Sequence, residues 1–230
     1  MPSPRKNLFI LALFFLALTF SGCVGPGVYH RVGKGENLYR ISKTYGVDMQ
    51  DVAELNDIRD PAEIRAGKLL YIPGVSRLRK VKPYVPPSRR AAPSEKEEEP
   101  EGRIVTRRDR FQWPVTGKVI SSFGMRQGTR HGGIDIKAAE GVPIKAADSG
   151  VVAYIDSDMR GYGKIVILKH VDGFFTVYAH NKENLVKMGE EVVKGASIAT
   201  VGSSGNATTT HLHFEVRYGK TVRNPLFFLP

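Results

Sequence analysis

Short β-rich runs dominate the chain beyond Trp113, at residues 119–120, 150–155, 164–169, 174–178, 197–201 and 212–216, most of them separated by Gly, Asp or Asn. Strands of this length at this spacing imply antiparallel sheets folded over a core, so 111–230 reads as a mainly β domain. Nearer the N-terminus the period changes. Leu38, Ile41 and Tyr45 recur at helical spacing after Gly35-Glu36-Asn37, and Asp48, with Asp51 three residues on, starts a second helix carrying Val52 and Leu55. One short strand precedes these helices and another, 69–72, follows them and stops at Pro73, so 28–73 reads as a small α+β module of order βααβ. Between the two units, 74–110 has several prolines, a basic stretch (77–90), an acidic stretch (95–101) and few apolar residues to bury. That composition predicts an extended, mobile linker.

The first residues supply an address. Arg5 and Lys6 precede an apolar run, 8–18, that falls short of the roughly 20 residues needed to span a bilayer. A charged start, a short apolar stretch and small residues before a break point read as a signal peptide over 1–22. Cys23, directly after Ser21-Gly22, resembles the lipidated cysteine of a bacterial lipoprotein, although Phe20 is not the residue favoured three places upstream. It is the single cysteine of the chain, so the mature protein forms no internal disulfide. Several acyl chains on Cys23, at about 0.8 kcal/mol per buried methylene, would anchor the protein to a membrane. Val24 stands where a retention signal for the inner membrane would place Asp, which favours the outer membrane, facing the periplasm. Net charge is +11. A basic balance often signals nucleic acid, but an exported protein does not meet it. Anionic headgroups and wall polymers are the expected attraction.

Chemistry concentrates in the last hundred residues. Four of the six histidines fall in three segments: His131-Gly-Gly-Ile-Asp135, Tyr178-Ala179-His180 and His211-Leu-His213-Phe-Glu215. A histidine and an aspartate close in sequence, plus one histidine of a later pair, would give the three protein ligands of a catalytic zinc, with a fourth position left for water. Period-two geometry puts both imidazoles of an H-x-H strand on one face. The pattern points to a zinc hydrolase with one zinc per catalytic domain. His30 and His170 lie outside it and read as ordinary surface or strand-end residues.

From about Trp113 to Pro230 the chain resembles the lysostaphin/LytM-type zinc peptidases, which cut peptide cross-links in bacterial peptidoglycan. The resemblance runs through Trp113-Pro114-Val115, Ser122-Phe123-Gly124, 131–136, Gly161-Tyr162-Gly163, Tyr178-Ala179-His180, Gly202-Ser203-Ser204-Gly205, 211–217 and Asn224-Pro225-Leu226. It implies an antiparallel β fold of the duplicated-hybrid-motif kind, with a groove on one sheet and the zinc at its floor. Carried over position by position, it implies His131, Asp135 and His213 as metal ligands and His180 and His211 as catalytic residues. His211 would serve as general base and His180 as support for the oxyanion or for proton delivery; the two roles could be exchanged. Asn181 and Thr210 depart from the usual Leu and Pro without removing a ligand. Glu215 matches no catalytic residue of the family and reads as a hydrogen-bonding support.

Residues 28–73 resemble a LysM module in 32–38, Asn56 and 64–69. That implies binding to N-acetylglucosamine-containing glycans such as peptidoglycan, with contacts expected from Gly35, Glu36, Asn37, Leu38, Asp60 and Ile64. A lipoprotein with this architecture also resembles the NlpD-type branch, whose members activate a cell-wall amidase and carry degenerate sites. All five site residues are retained here, so a peptidoglycan endopeptidase is the first expectation and an amidase partner the alternative.

Overall fold

The computed structural model describes residues 27–83, 106–126 and 128–230. The expected signal peptide, Cys23 and the centre of the expected linker lie outside them.

In the N-terminal unit, β1 (Val28–Arg31) pairs antiparallel with β2 (Leu69–Ile72), and α1 (Leu38–Tyr45) and α2 (Met49–Leu55) lie between them in sequence. Each helix begins where a side chain satisfies an orphan amide: Asn37 accepts from the Arg40 amide and Asp48 from that of Asp51. Leu38, Ile41, Tyr45, Val52, Ile58, Leu70 and Ile72 form the core. Val81 joins it, and the Tyr45 hydroxyl accepts from the Arg79 amide at 3.0 Å. Near its other end the expected linker is also packed, since Arg107 donates its amide to the Phe227 carbonyl at 3.1 Å and Arg110 pairs with Asp148. The expectation of an extended segment over all of 74–110 is therefore corrected at both ends: an apolar core and the Tyr45 hydroxyl hold one end, the Phe227 carbonyl and the Asp148 carboxylate the other.

The C-terminal unit is antiparallel β, as the pattern of short runs predicts. Its main sheet runs through β11 (Glu191–Val192), β8 (Gly150–Met159), β9 (Gly163–Lys169), β10 (Phe174–Asn184), β13 (Leu212–Tyr218), β6 (Ile134–Lys137) and β3 (Lys118–Ser121). Three further strands, β7 (Pro143–Lys145), β12 (Ser197–Val201) and β14 (Thr221–Arg223), attach off this path, and β4 (Gly124–Arg126) with β5 (Thr129–His131) forms a separate hairpin. Alternation along the strands gives the sheet two faces. Ile134, Ile136, Tyr178, Leu212, Phe214 and Val216 enter the large core. Ile165, Ile167, Val177 and Ala179, with Tyr162 against them, form a smaller apolar cluster of their own.

The two units touch. Leu55 packs against the large core. Beside it, the Glu54 carboxylate accepts from the Asn224 amide at 3.0 Å, and the Glu54 carbonyl accepts from Asn224 Nδ2 at 3.2 Å. Arg223 reaches Asp51 at 3.1 Å, and the Arg59 guanidinium lies 5.9 Å from the centre of the Phe227 ring. Burial pushes the Glu54 carboxyl pKa up, against the opposing hydrogen bonds from Gln50 and Asn224. No helix among the described residues is long and apolar enough to cross a membrane.

Candidate metal centre

Register brings the ligand candidates together. Within the sheet His213 of β13 stands opposite Asp135 of β6, and β5 delivers His131 from the hairpin alongside. The two glycines between His131 and Asp135 permit this approach. A Cβ on Gly133 would lie 2.3 Å from the Phe214 carbonyl oxygen and 3.0 Å from His213 Cε1, so the strand passes too close for a side chain.

Asp135 Oδ1 lies 2.8 Å from His213 Nδ1 and 3.1 Å from His131 Nε2, and those two nitrogens are 3.2 Å apart. Tetrahedral donors at about 2.0–2.1 Å from zinc are about 3.3 Å from one another, which these separations approach. The outer nitrogens decide the protonation. His131 Nδ1 donates to the Ser122 carbonyl at 2.8 Å, and His213 Nε2 donates to Glu215 at 3.1 Å. In its neutral form each histidine turns a lone pair inward beside Asp135 Oδ1; protonated, His213 donates its inner hydrogen to that oxygen instead. With that hydrogen displaced, the three atoms can together take a cation, and the donor set of two nitrogens and one oxygen suits zinc.

The electrostatics follow from this geometry. Burial acts to raise the Asp135 pKa, but hydrogen bonds from His131 and His213 outweigh it and hold the carboxyl well below the usual range. Burial disfavours charge on His213 too, yet the carboxylates of Asp135 and Glu215 push its pKa up to about 9. Glu215 is buried behind His213. Its Oε1 accepts from the Tyr162 hydroxyl at 2.9 Å and its Oε2 from Arg217 Nε at 2.7 Å. A carboxylate bound to the far nitrogen fixes a ligand histidine's tautomer and ring orientation.

The other two histidines flank this set. His211 Nδ1 donates to the Thr209 carbonyl at 2.7 Å, leaving its Nε2 lone pair 3.7 Å from Asp135 Oδ1. His180 Nδ1 donates to the Ser204 carbonyl at 2.8 Å, and its ring centre lies 4.9 Å from that of His211. The sequence predicts a strand that ends near His180. Instead β10 continues past it through an irregularity in register between Tyr178 and Asn181, and His180 itself has φ 62°. The bulge aims the side chain, at a cost of about 1–2 kcal/mol for the left-handed backbone. Two glycine motifs brace it: a Cβ on Gly163 would come 2.4 Å from the Gly205 amide nitrogen. That close approach lets the Ser204 hydroxyl accept from the Lys164 amide at 2.9 Å and donate to the Asn181 carbonyl at 2.8 Å, on either side of the carbonyl that holds His180.

All five expected site residues thus lie in one cluster. Tyr162, Ser204 and Arg217 lie within the matched motifs but carry no role there, though Arg217 continues the alternation of His213 and Glu215 and could have been found that way. His30 and His170 do lie at strand ends, in β1 and directly after β9, but the expectation of surface residues is corrected: both are buried. His30 lies between Tyr45 at 3.0 Å and Glu36 at 2.7 Å, and His170 between the Ser149 carbonyl at 2.8 Å and the Thr176 hydroxyl at 2.7 Å. Among the expected sugar contacts, Leu38 is corrected to a core residue with no exposed surface. Asn37 and Asp60 cap helices, Glu36 accepts from the Gly33 amide at 2.8 Å, and Gly35 and Asp60 are exposed while Ile64 is partly so.

Fold and donor set together define an antiparallel β protein with three convergent donors that could hold a metal ion, joined to a small βααβ module. Residues 129–225 match peptidase family M23 and residues 30–73 match the LysM domain. Over 238 aligned positions the chain is 35% identical to the uncharacterized lipoprotein YgeR of Escherichia coli (strain K12), covering 98% of this chain and 94% of that one. The chain belongs to peptidase family M23. It is also 47% identical over 121 residues to the murein hydrolase activator NlpD of Escherichia coli (strain K12), across 52% of this chain and 31% of NlpD. A crystal structure of a zinc containing peptidase from Vibrio cholerae aligns with 50% of this chain and 38% of that one, at 28% identity and a TM-score of 0.47.

Proposed function

We propose that the protein is a peptidoglycan-bound zinc endopeptidase that hydrolyses peptide cross-links of the bacterial cell wall. The observation that carries this reading is the convergence of lone pairs from His131, Asp135 and His213, beside two histidines whose Nδ1 hydrogens are committed to carbonyls. A zinc ion held by those three residues supplies Lewis acidity, polarising a scissile carbonyl and lowering the pKa of a water towards about 7. His211, with Nε2 unprotonated, takes the proton from the attacking water. His180 in the same tautomer is an acceptor, so it supports an oxyanion only after it has gained a proton. Burial holds its pKa down to about 4, against the hydrogen bond with the Ser204 carbonyl. The proton that His211 takes up is the one the leaving amine must receive, and His180, with its ring centre 4.9 Å from that of His211, lies where it can pass that proton on.

The LysM module holds the glycan, and a lipidated Cys23 anchors the chain in the envelope, on the periplasmic face of the outer membrane. That the relative YgeR is named a lipoprotein supports the lipid anchor.

A second reading has its own support in the 47% identity to NlpD: a non-catalytic activator of a cell-wall amidase. Incubating the zinc-loaded full chain with cross-linked peptidoglycan, with and without an added amidase, separates the two. Mass spectrometry of the fragments is expected to show peptide–peptide bonds broken by the chain alone. Products confined to sugar–peptide cleavage, and only when the amidase is present, replace the first reading with the second.

A further inference from the structure

Of the three candidate ligands, His131 is held differently from the other two. Asp135 and His213 stand opposite each other in the ladder of the main sheet, whereas His131 ends β5, which with β4 forms a sheet of its own. The ladder that sets Asp135 against His213 does not reach it. Ligand geometry has to hold to within about 0.5 Å, so the position of His131 depends on whatever braces this hairpin.

Much of the bracing comes from the N-terminal module. Met125 and Arg130 stand opposite each other, on the hairpin face turned away from the pair Gly124 and His131. On that face the Arg130 guanidinium feels the opposite charges of Asp51 and Glu54, both from α2 of the module. Its carbon also lies 5.6 Å from the centre of the Phe123 ring. Phe123 is buried in the large core, and the residue before it, Ser122, supplies the carbonyl that accepts from His131 Nδ1 at 2.8 Å. The end of α2 reaches the other strand as well. Gly124, the partner of His131 in the hairpin, has φ 118°, and a Cβ there would lie 3.4 Å from the Leu55 carbonyl oxygen. Both anchors of His131, its pairing with Gly124 and its bond to Ser122, are therefore braced by α2, directly in the first case and through Arg130 and Phe123 in the second.

We propose that the N-terminal module is a working part of the metal centre: through Leu55, and through Asp51 and Glu54 acting on Arg130, it positions His131 to share one metal ion with Asp135 and His213. These are positioning residues, since each acts on the ion through His131. The inference rests on the zinc centre of the proposed function but not on which bond is cut. Coupling between two sites is reciprocal, so zinc in turn tightens the docking of the module.

The test measures zinc affinity of the metal-free full chain by competition with a chelator of known strength. Arg130→Gln and Leu55→Ala should each weaken zinc binding about fivefold or more, with Arg130→Lys, which keeps the charge, between Arg130→Gln and wild type. The direction for Arg130 is diagnostic: losing a positive charge beside a cation would, on Coulomb's law alone, tighten its binding. Unchanged or tighter zinc binding in Arg130→Gln overturns the proposal, as does unchanged binding in Leu55→Ala. Wild type gives an independent arm. Adding zinc should slow amide hydrogen exchange in 49–55 as well as in β4 and β5, and slowing confined to the C-terminal unit overturns the coupling even if the variants fold poorly. Wild type that binds no zinc removes the metal centre and the proposal together; wild type that binds zinc while 49–55 is unaffected removes the proposal alone.

Discussion

The amide of Asn224 donates to the carboxylate of Glu54 across 3.0 Å, linking residues 170 positions apart that belong to two different units. Both residues are buried, so the contact is sheltered from water on each side. Removing the carboxylate leaves a buried donor without its partner, which costs about 1–3 kcal/mol. Glu54→Ala is therefore expected to lower the midpoint of chemical denaturation, whereas Asn224→Ala keeps the backbone amide that bonds the carboxylate and loses only the Nδ2 bond to the Glu54 carbonyl. Deleting 28–83 should destabilise the remaining domain. Unchanged stability after that deletion would show that the units do not dock in solution.

Zinc is expected at about one ion per chain, and His131→Ala with Asp135→Ala should abolish it, since two donors are removed from a set of three. Elemental analysis of the dialysed variant settles this; undiminished zinc would place the metal elsewhere.

His211→Ala should retain zinc while cutting turnover by about two to four orders of magnitude, because it removes a proton acceptor and no ligand. Metal content and activity falling in parallel would make His211 a ligand.

The left-handed backbone at His180 gives a test that separates strain from chemistry. His180→Gly and His180→Ala should both lose activity, but the glycine variant should be the more stable by about 0.5–1 kcal/mol, the balance of relieved strain against added chain entropy. Equal denaturation midpoints would argue that the bulge relaxes in solution.

His170 sets a pH dependence away from the metal. Burial lowers its pKa from 6.5 in the folded state, although the Ser149 carbonyl opposes the shift. The unfolded chain then takes up its proton first, so this contribution to stability is complete above 6.5 and declines as pH falls below it. Thermal midpoints of the zinc-loaded protein from pH 8 to pH 5 should fall more steeply for wild type than for His170→Gln. Parallel curves would assign the pH dependence to other groups.

Much of this was legible in the sequence because it is local. The alternation of His211, His213 and Glu215 with Leu212, Phe214 and Val216 states which residues share a face, and caps such as Asn37 and Asp48 lie within three residues of the amides they satisfy. What escaped depends on distant partners. Nothing near His180 announces a bulge, which is held by Ser204 and two glycines brought together by the fold. Glu54 and Asp51 read as the polar side of a short helix, and only Arg223 and Asn224 give that side a neighbour. Leu38 lies beside exposed Gly35 in a loop expected to touch sugar, yet helical spacing had already placed it with Ile41 and Tyr45.

Strand β13 serves two clients at once, sending His213 and Glu215 to the metal side and Leu212, Phe214 and Val216 into the core. A slip of one residue in its pairing would exchange the two sets, driving imidazole and carboxylate into hydrocarbon and turning a phenyl ring towards the ion. The chemistry of this strand is thus open to substitution but closed to insertion or deletion, and a length change there should abolish the fold and the metal together.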